Sequence, residues 1–187
     1  MSPTVQEAIQ LLEENVKSES LRRHCRSVGF AMREYAKHFN LSEEEQDKWE
    51  IAGILHDFDF EKYPTPEQHP FEGVKILQEK NYPKDIIEAI LGHGDHTKTP
   101  RKTKMARTLF AVDELCGLVI ALAHVRPQKL ESMTPKSVKK VLKKKEFAAT
   151  INREDINKGI QELNVNQDEH FTIVIRALES HSKELGL

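Results

Sequence analysis

Cysteine is nearly absent from this chain: Cys25 and Cys116 are the only two among 187 residues. That count leaves no disulfide framework and no thiolate zinc cluster. Small apolar packing is the expected role of the pair. Net charge is almost absent as well, since 28 basic residues against 30 acidic ones leave −2. No global field then exists to recruit nucleic acid or an anionic membrane. Long hydrophobic runs are missing too. The longest apolar stretch, Leu115 to Val125, is too short to cross a bilayer and contains Gly117 and His124. The opening Met1-Ser2-Pro3-Thr4-Val5-Gln6-Glu7-Ala8 has neither the basic region nor the apolar core of a secretory signal. These absences predict a cytoplasmic protein with no membrane partner. No β-run, internal repeat, low-complexity tract or linker is visible.

What is present is helical periodicity. Leu21, His24, Val28, Ala31 and Tyr35 recur at spacings of three and four, behind Ser18 or Ser20 as a cap. Ser42-Glu43-Glu44-Glu45 reads as a capping box for a helix whose inner face includes Trp49, Ala52, Gly53 and His56. Pro64 and Pro66 mark a loop, and His69-Pro70 starts a helix carrying Val74, Ile76 and Leu77. Tyr82-Pro83 separates it from Ile86, Ile87, Ile90 and Leu91, and His93-Gly94-Asp95-His96 reads as a loop. Residues 102–125 are apolar all round, as a central helix is. Pro127 ends it, Thr134-Pro135 caps another, and two more helices are expected near 152–163 and 167–184, the last starting at Asn166 or Asp168. The fold class is all-α: one single-domain helical bundle over 1–187, with a core at about 18–125 and a C-terminal helical extension at 130–187.

Histidine is the residue in mild excess, with nine in the chain, most of them between positions 24 and 96. The run Ile51-Ala52-Gly53-Ile54-Leu55 delivers His56 and Asp57 side by side at the end of an apolar helix. His24 lies on the apolar stripe of its own helix. Asp113 lies inside the central one, within Leu109-Phe110-Ala111-Val112-Asp113-Glu114-Leu115-Cys116. A carboxylate desolvated there without a partner would cost several kcal/mol. A metal ion or an arginine removes that cost. His69, His93 and His96 are further candidate partners. Imidazole and carboxylate without thiolate suit iron, manganese, cobalt or nickel ahead of zinc or magnesium, and not calcium. One or two divalent metal ions are therefore expected. An aspartate can bridge two of them, and such a pair suits hydrolysis of a phosphoester by an activated hydroxide.

The order His24, then His56-Asp57, then Asp113, over roughly residues 18–125, resembles the signature of the HD-domain metal-dependent phosphohydrolase superfamily. That resemblance implies an all-α bundle in which His24, His56, Asp57 and Asp113 hold a first metal. His69-Pro70-Phe71-Glu72-Gly73 and Ile90-Leu91-Gly92-His93 look like the extra histidines of two-metal branches. There His69 and His93 would hold a second ion, with Asp57 bridging. The implied substrate is a small phosphorylated molecule, a phosphomonoester or phosphodiester such as a nucleotide or dinucleotide. The loop His93-Gly94-Asp95-His96 lacks the adjacent histidine pair and Gly-Tyr-Pro motif of the cyclic-di-GMP branch. Two other classes share the ligand pattern: a di-iron oxygenase of the same fold, and a non-catalytic nucleotide-binding sensor.

Four further residues are candidates. Asp59 is a catalytic proton donor to the leaving group, an orienter of a ligand, or a plain capping carboxylate. Lys62 stands near the place of a lysine that many two-metal members carry after His-Asp, and is a substrate-binding candidate or merely exposed. His96 is a candidate for substrate contact or proton transfer. Arg126 either meets a phosphate or satisfies carbonyls at a helix end. The lysines of 136–145 read as the solvated face of an amphipathic helix or as an attractor of polyphosphate. Without interleaved aromatics they give no support to a polynucleotide partner. Oligomeric state is not readable from the sequence.

Overall fold

The computed structural model describes residues 3–187, and among them are nine α-helices and no strand. They are α1 (Val5–Asn15), α2 (Glu19–His38), α3 (Glu43–Leu55), α4 (Phe71–Glu79), α5 (Lys84–Leu91), α6 (Lys104–Val125), α7 (Pro135–Leu142), α8 (Arg153–Leu163) and α9 (Gln167–Ser180). α1 is not among the expected helices, although Thr4 and Glu7 close a complete capping box at its start. Ser18 caps α2 by accepting from Leu21 N, and Asn166 caps α9. At α3 only half of the expected box forms. Ser42 accepts from Glu45 N, while the Glu45 carboxylate takes Lys48 Nζ at 2.7 Å instead. α9 ends at Ser180, short of the expected 184, and the chain finishes in turns.

α2 and α3 lie backbone to backbone. A Cβ added at Gly53 would stand 2.6 Å from Gly29 Cα, and one at Gly29 would stand 2.7 Å from Ile54 Cγ1. Only glycine at both positions permits that approach. It brings His24, one turn before Gly29, opposite His56 at the end of α3. α6 crosses behind them and packs on α2, α5, α8 and α9. It is longer than the apolar stretch read from sequence. The helix has 22 residues, and an 18-residue window within it has mean hydropathy 1.8, long and apolar enough to cross a membrane, yet 61% of that window is buried inside the bundle. Leu109, Val112, Leu115, Leu118 and Val119 are fully buried there, as the core helix of a bundle requires.

The C-terminal helices share this core: Ile156 of α8 and Phe171 and Val174 of α9 are fully buried in the same apolar cluster as α2 and α6. One buried polar relay ties them together. The Tyr35 hydroxyl donates to His170 Nδ1, and His170 Nε2–H donates to Ala111 O at 3.1 Å. Burial presses the His170 pKa down to about 4, so this ring is neutral and structural. Cys25 and Cys116 are both free and fully buried, and burial pushes the Cys25 thiol up to about 12, as expected of packing residues.

Candidate metal centre

Three helix ends, the second turn of α2 and the middle of α6 converge on one cleft. α2 contributes His24 and the turn after α3 contributes His56 and Asp57. The residue before Pro70 contributes His69, the turn after α5 contributes His93, and α6 contributes Asp113. His24 Nε2 lies 2.9 Å from Asp113 Oδ1, and His56 Nε2 lies 3.3 Å from the same oxygen. Asp57 Oδ2 faces those two rings, at 3.9 Å from His24 Nε2 and 3.4 Å from His56 Nε2. Its other oxygen, Oδ1, faces the second pair, at 3.2 Å from His69 Nε2 and 3.4 Å from His93 Nε2. Two groups with the spacing a metal ion needs result: His24, His56 and Asp57, and Asp57, His69 and His93. Asp57 belongs to both.

The tautomers of three rings are set from behind. His56 Nδ1–H donates to Gly53 O at 2.7 Å and His93 Nδ1–H to Ile90 O at 2.6 Å. His69 Nδ1–H donates to Asp59 Oδ1 at 2.7 Å. In the neutral ring each Nε2 is then a bare lone pair pointing inward. His69 Nε2 and His93 Nε2 face each other at 3.1 Å, which is a repulsive contact unless a cation or proton lies between them. His56 Nε2 is fully buried and has no hydrogen-bond partner. Buried polar atoms are seldom left so. Converging lone pairs beside two carboxylates are a donor set that fits a divalent cation.

The carboxylates favour a proton on the rings they face. Burial opposes charging His56, but Asp57 and Asp113 hold its pKa well above the ordinary histidine range. His69 is likewise opposed by burial, yet its bonds to Asp57 and Asp59 raise it to about 9. Asp57 and Asp113, although buried, are held well below the usual carboxylate range by His56 and its neighbours.

The other candidate residues lie elsewhere. Asp59 is 2% exposed and lies beneath His69, accepting from His69 Nδ1 and from Gly73 N at 2.8 Å. It is therefore not placed to protonate a leaving group; it orients the His69 ring. A Cβ at Gly73 would reach within 2.8 Å of Asp59 Cγ, so glycine is needed there. His96 is outside the cleft as well: its Nε2–H donates to His69 O at 2.8 Å, which steadies the His69 backbone. Lys62 is exposed and holds Asn15 Oδ1 at 2.7 Å, joining its turn to α1. Arg126 donates to Lys129 O and Glu131 O beyond the end of α6. Neither cation reaches the ligands.

A cleft of about 360 Å³ opens in front of Asp57 and is walled by Phe60, Phe110, Glu114, Thr150, Ile151 and Asp155 besides the ligands. The sequence reading missed this wall. Glu114 carried the one available signal, a second charge beside Asp113 in an apolar helix. Burial, with Asp113 adding to it, raises Glu114 to about 7.

No curated protein and no solved structure matches the chain. Residues 21–118 match the family model described as HD domain. That span is just over half of the chain and contains all six side chains that meet around Asp57. The chain belongs to the HD domain family, whose members are typically metal-dependent hydrolases.

Proposed function

We propose that this protein is a metal-dependent phosphohydrolase acting on a phosphoester of a small molecule. The observation that carries the reading is the division of one carboxylate: Asp57 offers Oδ2 to the His24 and His56 side and Oδ1 to the His69 and His93 side. His24, His56, Asp113 and Asp57 would hold one divalent ion, and His69, His93 and Asp57 a second. Divalent ions held there supply Lewis acidity toward water and toward phosphoryl oxygens.

The chain itself does the positioning. The carbonyls of Gly53 and Ile90 and the carboxylate of Asp59 keep the Nε2 atoms of His56, His93 and His69 free and aimed. His96 and Gly73 in turn fix His69 and Asp59. Phe60, Phe110 and Ile151 form the apolar part of the wall and exclude water from the ester. The cleft volume lies at the small end of ligand pockets, which run from roughly 300 to 1,000 Å³. This favours a mononucleotide-sized substrate over a dinucleotide.

The test is turnover of p-nitrophenyl phosphate and bis-p-nitrophenyl phosphate by protein stripped with chelator and reloaded with manganese, iron, cobalt or nickel. Hydrolysis that vanishes with chelator and returns with metal is expected. Turnover indifferent to chelator, or none with every metal, would overturn the reading.

A further inference from the structure

The cleft has an uneven charge distribution. No lysine or arginine lines it among the described residues, whereas Glu114 and Asp155 do. Neither carboxyl adds positive charge in any protonation state. The neighbouring cations are engaged elsewhere: Arg101 stacks over the Phe110 ring at 3.7 Å while bound to Glu162 and Asp95, and Lys158 is held by Asp95. The lysine-rich stretch 136–145 contributes nothing to the lining either, and Lys139 pairs with Asp168. All positive charge available to a substrate would come from the metal group itself.

The far wall is prebuilt, and it comes from sequence outside the HD match. Arg153 gathers the loop before α8 by donating to Lys144 O, Phe147 O, Ala148 O and Ile151 O. Asn152 N–H donates to Glu114 Oε2 at 3.1 Å, which pins the loop to α6, and Asn152 Nδ2–H donates to Asp155 Oδ2 at 2.7 Å in the first turn of α8. Ile151 seats on bare backbone, its Cδ1 standing 2.8 Å from where a Cβ on Gly117 would be. The loop and the first turn of α8, held together by six hydrogen bonds, present Thr150, Ile151 and Asp155 in fixed positions. A pre-organised wall discriminates without an ordering cost.

We propose that this loop is the substrate-selecting wall of the metal cleft, and that it admits esters carrying a single phosphate group while rejecting those that carry a second. One phosphate sits against the metal group. The organic part lies between Phe60 and Ile151, and its hydroxyl or amine donors meet Glu114 and Asp155. A second phosphate in the cleft meets carboxylates and no cation, and like charges placed together are the strongest form of rejection available to a binding site. The inference rests on the phosphohydrolase reading and narrows its substrate class.

The experiment is calorimetric titration of the manganese-loaded protein with AMP and with adenosine 3′,5′-bisphosphate, alongside metal analysis of the same samples. AMP is expected to bind more tightly by about tenfold or more, as near-surface charge repulsion implies. Thr150→Lys places a cation on an exposed wall position, and Asp155→Asn removes an anion. Each should narrow the AMP preference by about threefold or more, with metal content unchanged. Wild-type protein that holds metal but binds the bisphosphate as well as AMP, or binds no AMP, overturns the inference alone. So does an unchanged ratio in both variants. Wild-type protein that holds no metal overturns the phosphohydrolase reading and this inference together.

Discussion

Asp57→Asn separates a shared ligand from two independent ones. Asparagine keeps the size and one oxygen of aspartate but loses the charge that both histidine sets face at 3.2–3.9 Å. At an effective dielectric of about 20, unit charges 4 Å apart interact by about 4 kcal/mol. Every 1.4 kcal/mol is tenfold in affinity, so roughly a thousandfold is lost for each ion. Both ions should leave together. His93→Ala, by contrast, breaks only the second group, and metal should remain on His24, His56, Asp57 and Asp113. Asp59→Asn should be the mildest of the three, at about 10–100-fold weaker binding to the second group, because it replaces the charged acceptor of His69 Nδ1–H by a neutral one. Mass-spectrometric metal content after dialysis, with manganese titration by calorimetry, reads all three. If Asp57→Asn keeps the metal content of the wild type, or loses no more than His93→Ala does, Asp57 does not serve both groups.

Gly53→Ala should destabilise the fold by about 1–3 kcal/mol, because its Cβ enters the backbone of α2 at Gly29. Denaturant unfolding followed by circular dichroism measures this, and an unchanged midpoint would show that the helices part without cost. Metal uptake should release protons at neutral pH, since His69 titrates near 9 and His56 lies well above its ordinary range in the metal-free chain. Apparent affinity therefore climbs as pH rises toward about 9. The stability that these protonated rings give the metal-free fold runs the opposite way. It is fully present below the ordinary histidine value and is lost as pH rises through about 9. Manganese titration in buffers of different ionisation enthalpy counts the protons, and none released at pH 7 would contradict the assignment.

The helices and the ligands were legible for the same reason. A polar residue on an apolar stripe, such as His24 in α2 or Asp113 in α6, stands out against the period around it and must find a partner inside. His56-Asp57 stands out in the same way at the end of α3. No such contrast exists at Lys62, His96 or Arg126, where nearness along the chain, and for Lys62 the place of a family lysine, suggested a role. Nearness does not set direction. Lys62 follows Asp57 by five residues yet points to Asn15 on α1, and Asp59 follows it by two yet lies under His69 rather than beside Asp57. A tight turn sends neighbouring side chains to opposite sides, and periodicity carries no information about turns.

The far wall of the cleft was hidden for a different reason. Thr150 and Ile151 lie in a loop and Asp155 in the first turn of α8, none of them conspicuous in the sequence, and what places the loop is contact with α6 at Glu114 and Gly117, more than thirty positions earlier. Asn152 makes that contact through its backbone N–H, and Arg153 shapes the loop through carbonyls. Main-chain partners leave little trace in side-chain identity. The side chains gathered around Asp57 lie within the residues that match the HD model, while the wall of the cleft comes partly from the unmatched C-terminal third. On the proposed reading, the chemistry would lie within the match and part of the selection outside it. A change of substrate could then arise in 147–155 without disturbing any residue that faces Asp57.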